Sequence, residues 1–343
     1  MRDVAIVSFA SSSTPHSDLE DVEMLAPVIN EALARSGVPR RDIGFTVSGS
    51  CDYLCGRPFS FVMALDAVAA WPPISESHVE MDGAWALYEA WVRLQHGDID
   101  AALVYAFGKS SQGDLRAVLG AQLDPYYLAP LAPDPVSFAA LQARALLDAG
   151  RCTERDLAAV AVRGRRDGGL GASSEEELLR APYIASPLRA HDCPRSTDGV
   201  AAVVLVAGDR ARQVCERPAW IRGIDHRIEA HSLGVRDLTR SPSTELAARK
   251  AGVAASKVDV AEIHAPYTHQ EIILREALGL DGGTVINPSG GAVASHPLMS
   301  AGLVRIGEAA RRVLDGTAHR AVAHATSGPC LQQNLVCVLE GDR

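Results

Sequence analysis

Two stretches of this sequence carry residue types that could do chemistry. The first is INPSGGAVASHPLMSAG, from Ile286 to Gly302, where a Pro-Ser turn and two glycines precede His296-Pro297. Such a turn brings backbone close to a ligand, so Ser289, Gly290 and Gly291 are candidate binding positions. The second is VEMDGAWALYEAWVRLQHGD, from Val79 to Asp98, which reads as a strand running into a helix across a tight Gly turn. That is a usual seat for a catalytic nucleophile, yet neither Ser nor Cys stands there. Asp82 occupies the turn, and by type and place it is a helix N-cap.

These stretches need elements to hold them. Ala84, Leu87, Tyr88, Trp91 and Leu94 follow the i, i+3, i+4, i+7 spacing of one buried helix face, with Gly97 as the stop. Upstream, apolar runs such as Val4 to Phe9 and Phe45 to Ser50 alternate with helical periodicity over Val22 to Gly37 and Phe61 to Trp71, the pattern of an α/β fold. A weak internal repeat follows. GDIDAALVYAFG (Gly97 to Gly108) and DGTAHRAVAHATSG (Asp315 to Gly328) each come after an amphipathic helix, and each half closes on a strand ending in Gly. The repeat predicts two similar halves, 1–211 and 212–343. Residues 109–195 interrupt the first as a long insertion, a candidate substrate lid. Within it Tyr126-Tyr127 could stack on a ligand or pack the insertion against the body.

Composition excludes several classes. Hydrophobic residues at 47% and charged ones at 22% are ordinary globular values, not those of a disordered or membrane chain. A net charge of −9, with only short basic runs such as RGRRD (Arg163 to Asp167), gives nucleic-acid binding no electrostatic support. No secretory leader pattern and no apolar run of membrane-spanning length is read, so a cytoplasmic location is expected. Seven Cys without C-x-x-C pairs predict reduced thiols, and Cys51 and Cys55 lack the companions a metal site needs.

At this point the sequence resembles the thiolase superfamily. INPSGG…SHP is similar to the family's Asn-Pro-x-Gly-Gly stretch and Gly-His-Pro turn, with His296 in the His slot and Ser295 replacing Gly. VAEIHAPYTHQEIILREALGL (Val260 to Leu280) looks like the Glu-Leu-His-Asp-x-Phe turn of sterol-carrier-type thiolases; His264 falls on the oxyanion-hole position and Tyr267 on the Phe. HDCPRSTDGVAAVVLVAG (His191 to Gly208) resembles the Asp-Gly-Ala-Ala strand that ends the first thiolase half. The resemblance spans nearly the whole chain. It implies a thiolase fold, two βαβαβαββ halves in five αβαβα layers, pairing as a homodimer.

One departure decides the expected chemistry. The family's nucleophilic Cys aligns with Met81 or Asp82, so thiolate attack at that position is unavailable. The second family Cys aligns near Ser327 or Gly328; Cys330 is close but out of register and reads first as a small buried residue, then as a catalytic one. What remains is a pair, His264 and His296, that could polarise a thioester carbonyl. Donors of that kind stabilise an enolate, which suggests retro-aldol cleavage of a β-hydroxyacyl-CoA. Such cleavage needs a base and an acid; Tyr267 is the first candidate, Asp82 and His269 lesser ones.

The same departure resembles a subgroup of cysteine-lacking, lipid-transfer-protein-type homologues that act as steroid side-chain aldolases with a small partner built from an OB fold and a zinc ribbon. It implies a heterotetramer, a ketone and a short acyl-CoA such as propionyl-CoA as products, and CoA as part of the substrate with no permanently bound cofactor. Two alternatives stay open: an acyltransferase using another thiol such as Cys330, and a non-catalytic binding subunit.

Overall fold

The structure, a computed structural model, describes residues 1–342. Its main sheet is mixed, and a separate two-stranded sheet pairs Tyr183–Ala185 with Leu188–Arg189 in the insertion. From one edge of the main sheet to the other the order is Val285–Ile286, Val260–Ile263, Arg320–Ser327, Gln333–Glu340, Ala219–Ile228, Val4–Thr14, Ser196–Ala207, Ala101–Gly108, Phe45–Gly49 and Ser75–Val79. A short strand, His296–Pro297, pairs with the start of Ser196–Ala207. In the strand order the two halves join where Ala5 and Ile6 face Trp220 and Ala219.

The core shows why the sequence folds in layers. Along Ala101–Gly108 alternate residues serve opposite faces: Ala102, Val104 and Ala106 join one buried cluster, Leu103, Tyr105 and Phe107 another. A strand covered on both faces reads as a continuous apolar run, which is what this segment is. Helices Gly83–Gln95 and Ala301–Leu314 supply Leu87, Leu94, Leu303 and Ile306 to a central cluster shared with Ile6 and Val104 of the first half and Ala323 and Leu335 of the second. Helices Asp21–Ser36 and Ser60–Val68 cover the outer face of the first half. Pro242–Ala251 and Thr268–Ala277 cover that of the second. Five layers result, with two helices in the middle one, as the resemblance implies. Each fully buried Leu or Ile there contributes about 1.5 to 3 kcal/mol.

The insertion is mostly helical, with Leu115–Ala121, Pro135–Asp148, Glu154–Asp167 and Glu175–Leu179. It lies on the second half, where Glu154–Asp167 packs against Thr268–Ala277 and the Gly291–Ala294 turn. Tyr126 and Tyr127 do not pack it down, correcting that expectation: they stand 82% and 80% exposed on the Pro-rich loop. No helix among the described residues is long and apolar enough to cross a membrane.

Candidate functional site

Strand Val260–Ile263 ends beside Arg320–Ser327, and the next residue, His264, is held by both backbone and side chain. Its N–H donates to His324 O at 3.1 Å, and its Nδ1 accepts the Thr326 N–H at 3.3 Å. With Nδ1 accepting, the ring proton sits on Nε2. Nε2 lies 2.9 Å from Nε2 of His296, so His264 donates and His296 accepts. His296 is fixed in turn by its N–H to Arg195 O and by its strand pairing with Ser196. The two histidines, 32 residues apart in sequence, thus face one point. Burial holds both neutral: His296 is pushed down to about 4, with the Arg305 guanidinium adding to the effect, and His264 falls well below 6.5. Neutral imidazoles donate to a developing oxyanion without the cost of a buried cation.

Ser295, the residue that departs from the family glycine, anchors this turn. Its hydroxyl is 2.7 Å from that of Ser13 and 3.1 Å from that of Thr197, and Ser13 and Thr197 are 3.0 Å apart. Three hydroxyls from three segments fasten the backbone just ahead of His296.

Asp82 has a structural assignment. Its carboxylate accepts from Ala84 N at 2.8 Å in its own helix, and from Gly302 N at 2.8 Å and Leu303 N at 3.1 Å in the other central helix. It therefore caps two helices at once, and glycine is required at 302 because a Cβ there would collide with Asp82 Oδ1. Burial outweighs the three donors and raises its carboxyl to about 6, which leaves it mostly ionised at neutral pH. Met81 packs against the central cluster. The helix start that would activate a thiol holds neither thiol nor free carboxylate.

Ser289, Gly290 and Gly291 form a tight turn whose polar groups are spent within the protein. The Ser289 hydroxyl donates to Glu262 Oε2 at 2.6 Å, and the Arg305 guanidinium binds both. This network is buried, and burial raises the Glu262 carboxyl. A Cβ on Gly290 would lie 2.6 Å from Gly168 Cα of the insertion, so this glycine permits backbone-to-backbone packing. Ligand contact at these three positions, expected from the sequence, has no free polar side chain to work with.

Tyr267 begins helix Thr268–Ala277 and is 8% exposed, within a cluster formed with Ala139, Ala143 and Leu157 of the insertion. Burial drives its phenol well above the ordinary value, with Cys193, Asp134 and Cys330 close enough to add to the shift. It is therefore protonated at neutral pH. His269 turns away: it is fully buried, bonded through Nε2 to Gln142 Oε1 at 3.2 Å, and depressed to about 3. Cys330 is buried, its thiol directed at Phe138 O and pushed up to about 11 by burial, so it holds no thiolate at neutral pH. All seven cysteines are free.

Beside the His296 turn the insertion opens a cleft of ≈ 280 Å³ whose lining includes Arg165, His191, Cys193 and Arg195. Neither arginine has a carboxylate partner among the described residues. Several residues that build the site carry no motif signal in the sequence. Asn287 accepts from Ile263 N at 2.6 Å and donates to Glu271 at 2.9 Å, placing the strand end that leads to His264; its place before Pro288 was the available cue. Glu262 and Arg305 pair across 43 residues, which no spacing rule links.

No protein-family profile matches the chain. Acetyl-CoA acetyltransferase of Methanothermobacter thermautotrophicus is 26% identical, over 92% of this chain and 94% of that one. Sterol carrier protein 2 of Gallus gallus is 25% identical over 94% of this chain and 68% of that one. A shorter match, 32% over 25% of each, is to 17-hydroxy-3-oxo-4-pregnene-20-carboxyl-CoA lyase of Mycobacterium tuberculosis. Among solved structures the Ltp2-ChsH2(DUF35) aldolase superposes with a TM-score of 0.83 at 19% identity, over 99% of this chain and 98% of that one. Human mitochondrial 3-ketoacyl-CoA thiolase gives 0.80 at 14%, over 100% and 99%. The chain has the thiolase fold, and the relatives it resembles over most of its length include an acetyl-CoA acetyltransferase and sterol carrier protein 2.

Proposed function

We propose that this protein is an aldolase that cleaves the Cα–Cβ bond of a β-hydroxyacyl-CoA. The observation that carries the reading is the facing His264–His296 pair at 2.9 Å, set against a helix start with no thiol. A thioester oxygen that takes the place of the mutual bond receives the Nε2–H of His264, and that of His296 after a tautomer exchange. As a base removes the β-hydroxyl proton, the Cα–Cβ electrons move to the thioester, the hydroxyl carbon becomes a ketone, and the enolate oxygen rests on the two imidazoles. Tyr267, protonated at neutral pH, is proposed to return the proton to the enolate carbon. The cleft with Arg165 and Arg195 suits the phosphates of CoA, which arrives as substrate.

A bulky steroid side chain is the proposed acyl tail, supported by the short match to a pregnene-carboxyl-CoA lyase and by the aldolase superposition. The superposed aldolase is named as Ltp2 together with ChsH2(DUF35). For this chain a small OB-fold, zinc-ribbon partner and a homodimer, giving a heterotetramer, are proposed as well. An acyltransferase running on Cys330 is disfavoured by a thiol at about 11.

The test is mass spectrometry of products from a β-hydroxyacyl-CoA bearing a tertiary hydroxyl on a steroid ring, with and without the OB-fold partner. A ring ketone plus propionyl-CoA is expected. Unchanged substrate under both conditions would overturn the aldolase reading in favour of a binding subunit.

A further inference from the structure

The hairpin between Arg320–Ser327 and Gln333–Glu340 turns through Gly328, Pro329, Cys330 and Leu331. Gly328 has φ +75°, as glycine readily does, but Cys330 and Leu331 also sit in the left-handed region, at φ 53° and 60°. Two consecutive side-chain-bearing residues there cost free energy and persist only when their surroundings force them. The forcing group is visible. Arg236, whose side chain is 4% exposed, donates from Nη1 to Pro329 O at 3.1 Å and from Nη2 to Cys330 O. Asn334 Nδ2 takes the next carbonyl, Leu331 O, at 2.8 Å. Three successive carbonyls of the bend are thus gripped by side chains.

The grip has its own anchor. The Arg236 guanidinium faces Glu229 Oε2 at 3.4 Å, Glu229 Oε1 accepts the Ser243 hydroxyl at 2.6 Å, and Ser243 Oγ accepts from Asn334 at 2.7 Å. Asn334 Oδ1 meets His324 Nε2 at 3.0 Å, and the His324 carbonyl accepts the His264 N–H. The bend therefore connects through one buried network to the backbone of a proposed oxyanion donor. On its other side Cys330 reaches Phe138 O in the insertion and lies near the Tyr267 phenol.

We propose that Arg236 is a positioning residue: its guanidinium, braced by Glu229, holds the Cys330–Leu331 bend in its left-handed form and so shapes the wall of the site beside Tyr267. The catalytic part of this inference rests on the aldolase reading; the structural part does not.

Both parts are read in the full chain. Labelling by iodoacetamide, followed residue by residue by mass spectrometry, compares Cys330 with Cys337, which is fully buried in the sheet and reports global opening. In Arg236→Gln, Cys330 should label at least ~10-fold faster while Cys337 stays protected, because losing two charge-assisted bonds frees the bend locally. Arg236→Lys, which keeps the charge but not the fork, should fall between. Unchanged Cys330 labelling in Arg236→Gln would overturn the proposal. If both thiols open together, Leu331→Gly is added to Arg236→Gln: restored Cys337 protection supports a clamp acting against left-handed strain, and no restoration overturns it. On a hydroxyacyl-CoA substrate, kcat in Arg236→Gln should drop by ~10-fold with KM within about twofold, by the same bond loss; an unchanged kcat refutes the positioning role. Should wild-type protein turn over no such substrate, the aldolase reading fails, while the labelling result still decides the clamp.

Discussion

Helices Gly83–Gln95 and Ala301–Leu314 lie side by side in the central layer, one from each half, and the turns that lead into them have diverged. The first turn presents Asp82, whose oxygens are consumed by backbone N–H groups of both helices. The second is preceded by His296, whose ring is free of backbone duty and meets His264. A helix N-terminus carries partial positive charge that can depress a thiol's pKa or neutralise a buried carboxylate. In this protein it does the second. Chemistry on the proposed reading therefore resides in the second half, and the first half's helix start serves to bind the halves together.

The largest expected effects come from the side of the comparison that does chemistry. His264→Ala and His296→Ala should each lower kcat on a hydroxyacyl-CoA by about 10²- to 10³-fold, the range for losing one oxyanion donor. Steady-state kinetics check this, and a variant with wild-type kcat would remove that residue from the oxyanion role. Asp82→Ala should act on stability, costing about 3 kcal/mol by urea unfolding, since it uncaps two helices and strands three buried donors. If stability were kept and only turnover lost, the carboxylate would be catalytic after all and the contrast between the two turns would collapse.

A smaller effect concerns pH. Burial depresses His296 and His324 to about 4, His269 to about 3, and His264 well below 6.5. Below pH 6.5 the unfolded chain binds protons that the folded chain refuses, so each such histidine removes roughly 1.4 kcal/mol of stability per pH unit down to its folded value. Asp82 opposes them: with its carboxyl raised to about 6, the folded state gains from its protonation as pH falls through 6. The Glu262 carboxyl, also raised by burial, acts on the side of Asp82; the four histidines outnumber these two carboxyls, which predicts a net loss of stability from pH 6.5 towards 4, seen as a falling urea midpoint. His269→Gln, at a ring bonded to Gln142 and not to the His264–His296 pair, should make that fall shallower. Smallest of all, Ser295→Gly should loosen the turn before His296 by about 1 kcal/mol, the worth of a typical hydrogen bond. It should reduce kcat modestly at unchanged KM.

Much of the frame was legible because local spacing decides it. The apolar face of the Gly83–Gln95 helix, the repeat of helix, Gly turn and strand, and the identity of His264 and His296 as a pair all rest on short-range pattern or motif. What sequence pattern does not convey are the partners that lie far away in the chain. Asp82 reads as the cap of one helix, while its second helix lies 220 residues on. His269 shares a helix turn with Tyr267, yet it points at Gln142 of the insertion. Ser289 sits in a turn suited to a ligand but is taken by Glu262.

By itself, then, the sequence determined the layered α/β architecture, the absence of a thiol at the nucleophile seat and the two histidines available for an oxyanion, because periodicity and residue type act within a few residues. Only the tertiary structure decided which polar groups stay free. A buried donor or acceptor must find a partner, and the partner it finds is set by how distant segments pack: Asp82 goes to two helix ends, Ser289 to Glu262, and His264 and His296 to each other.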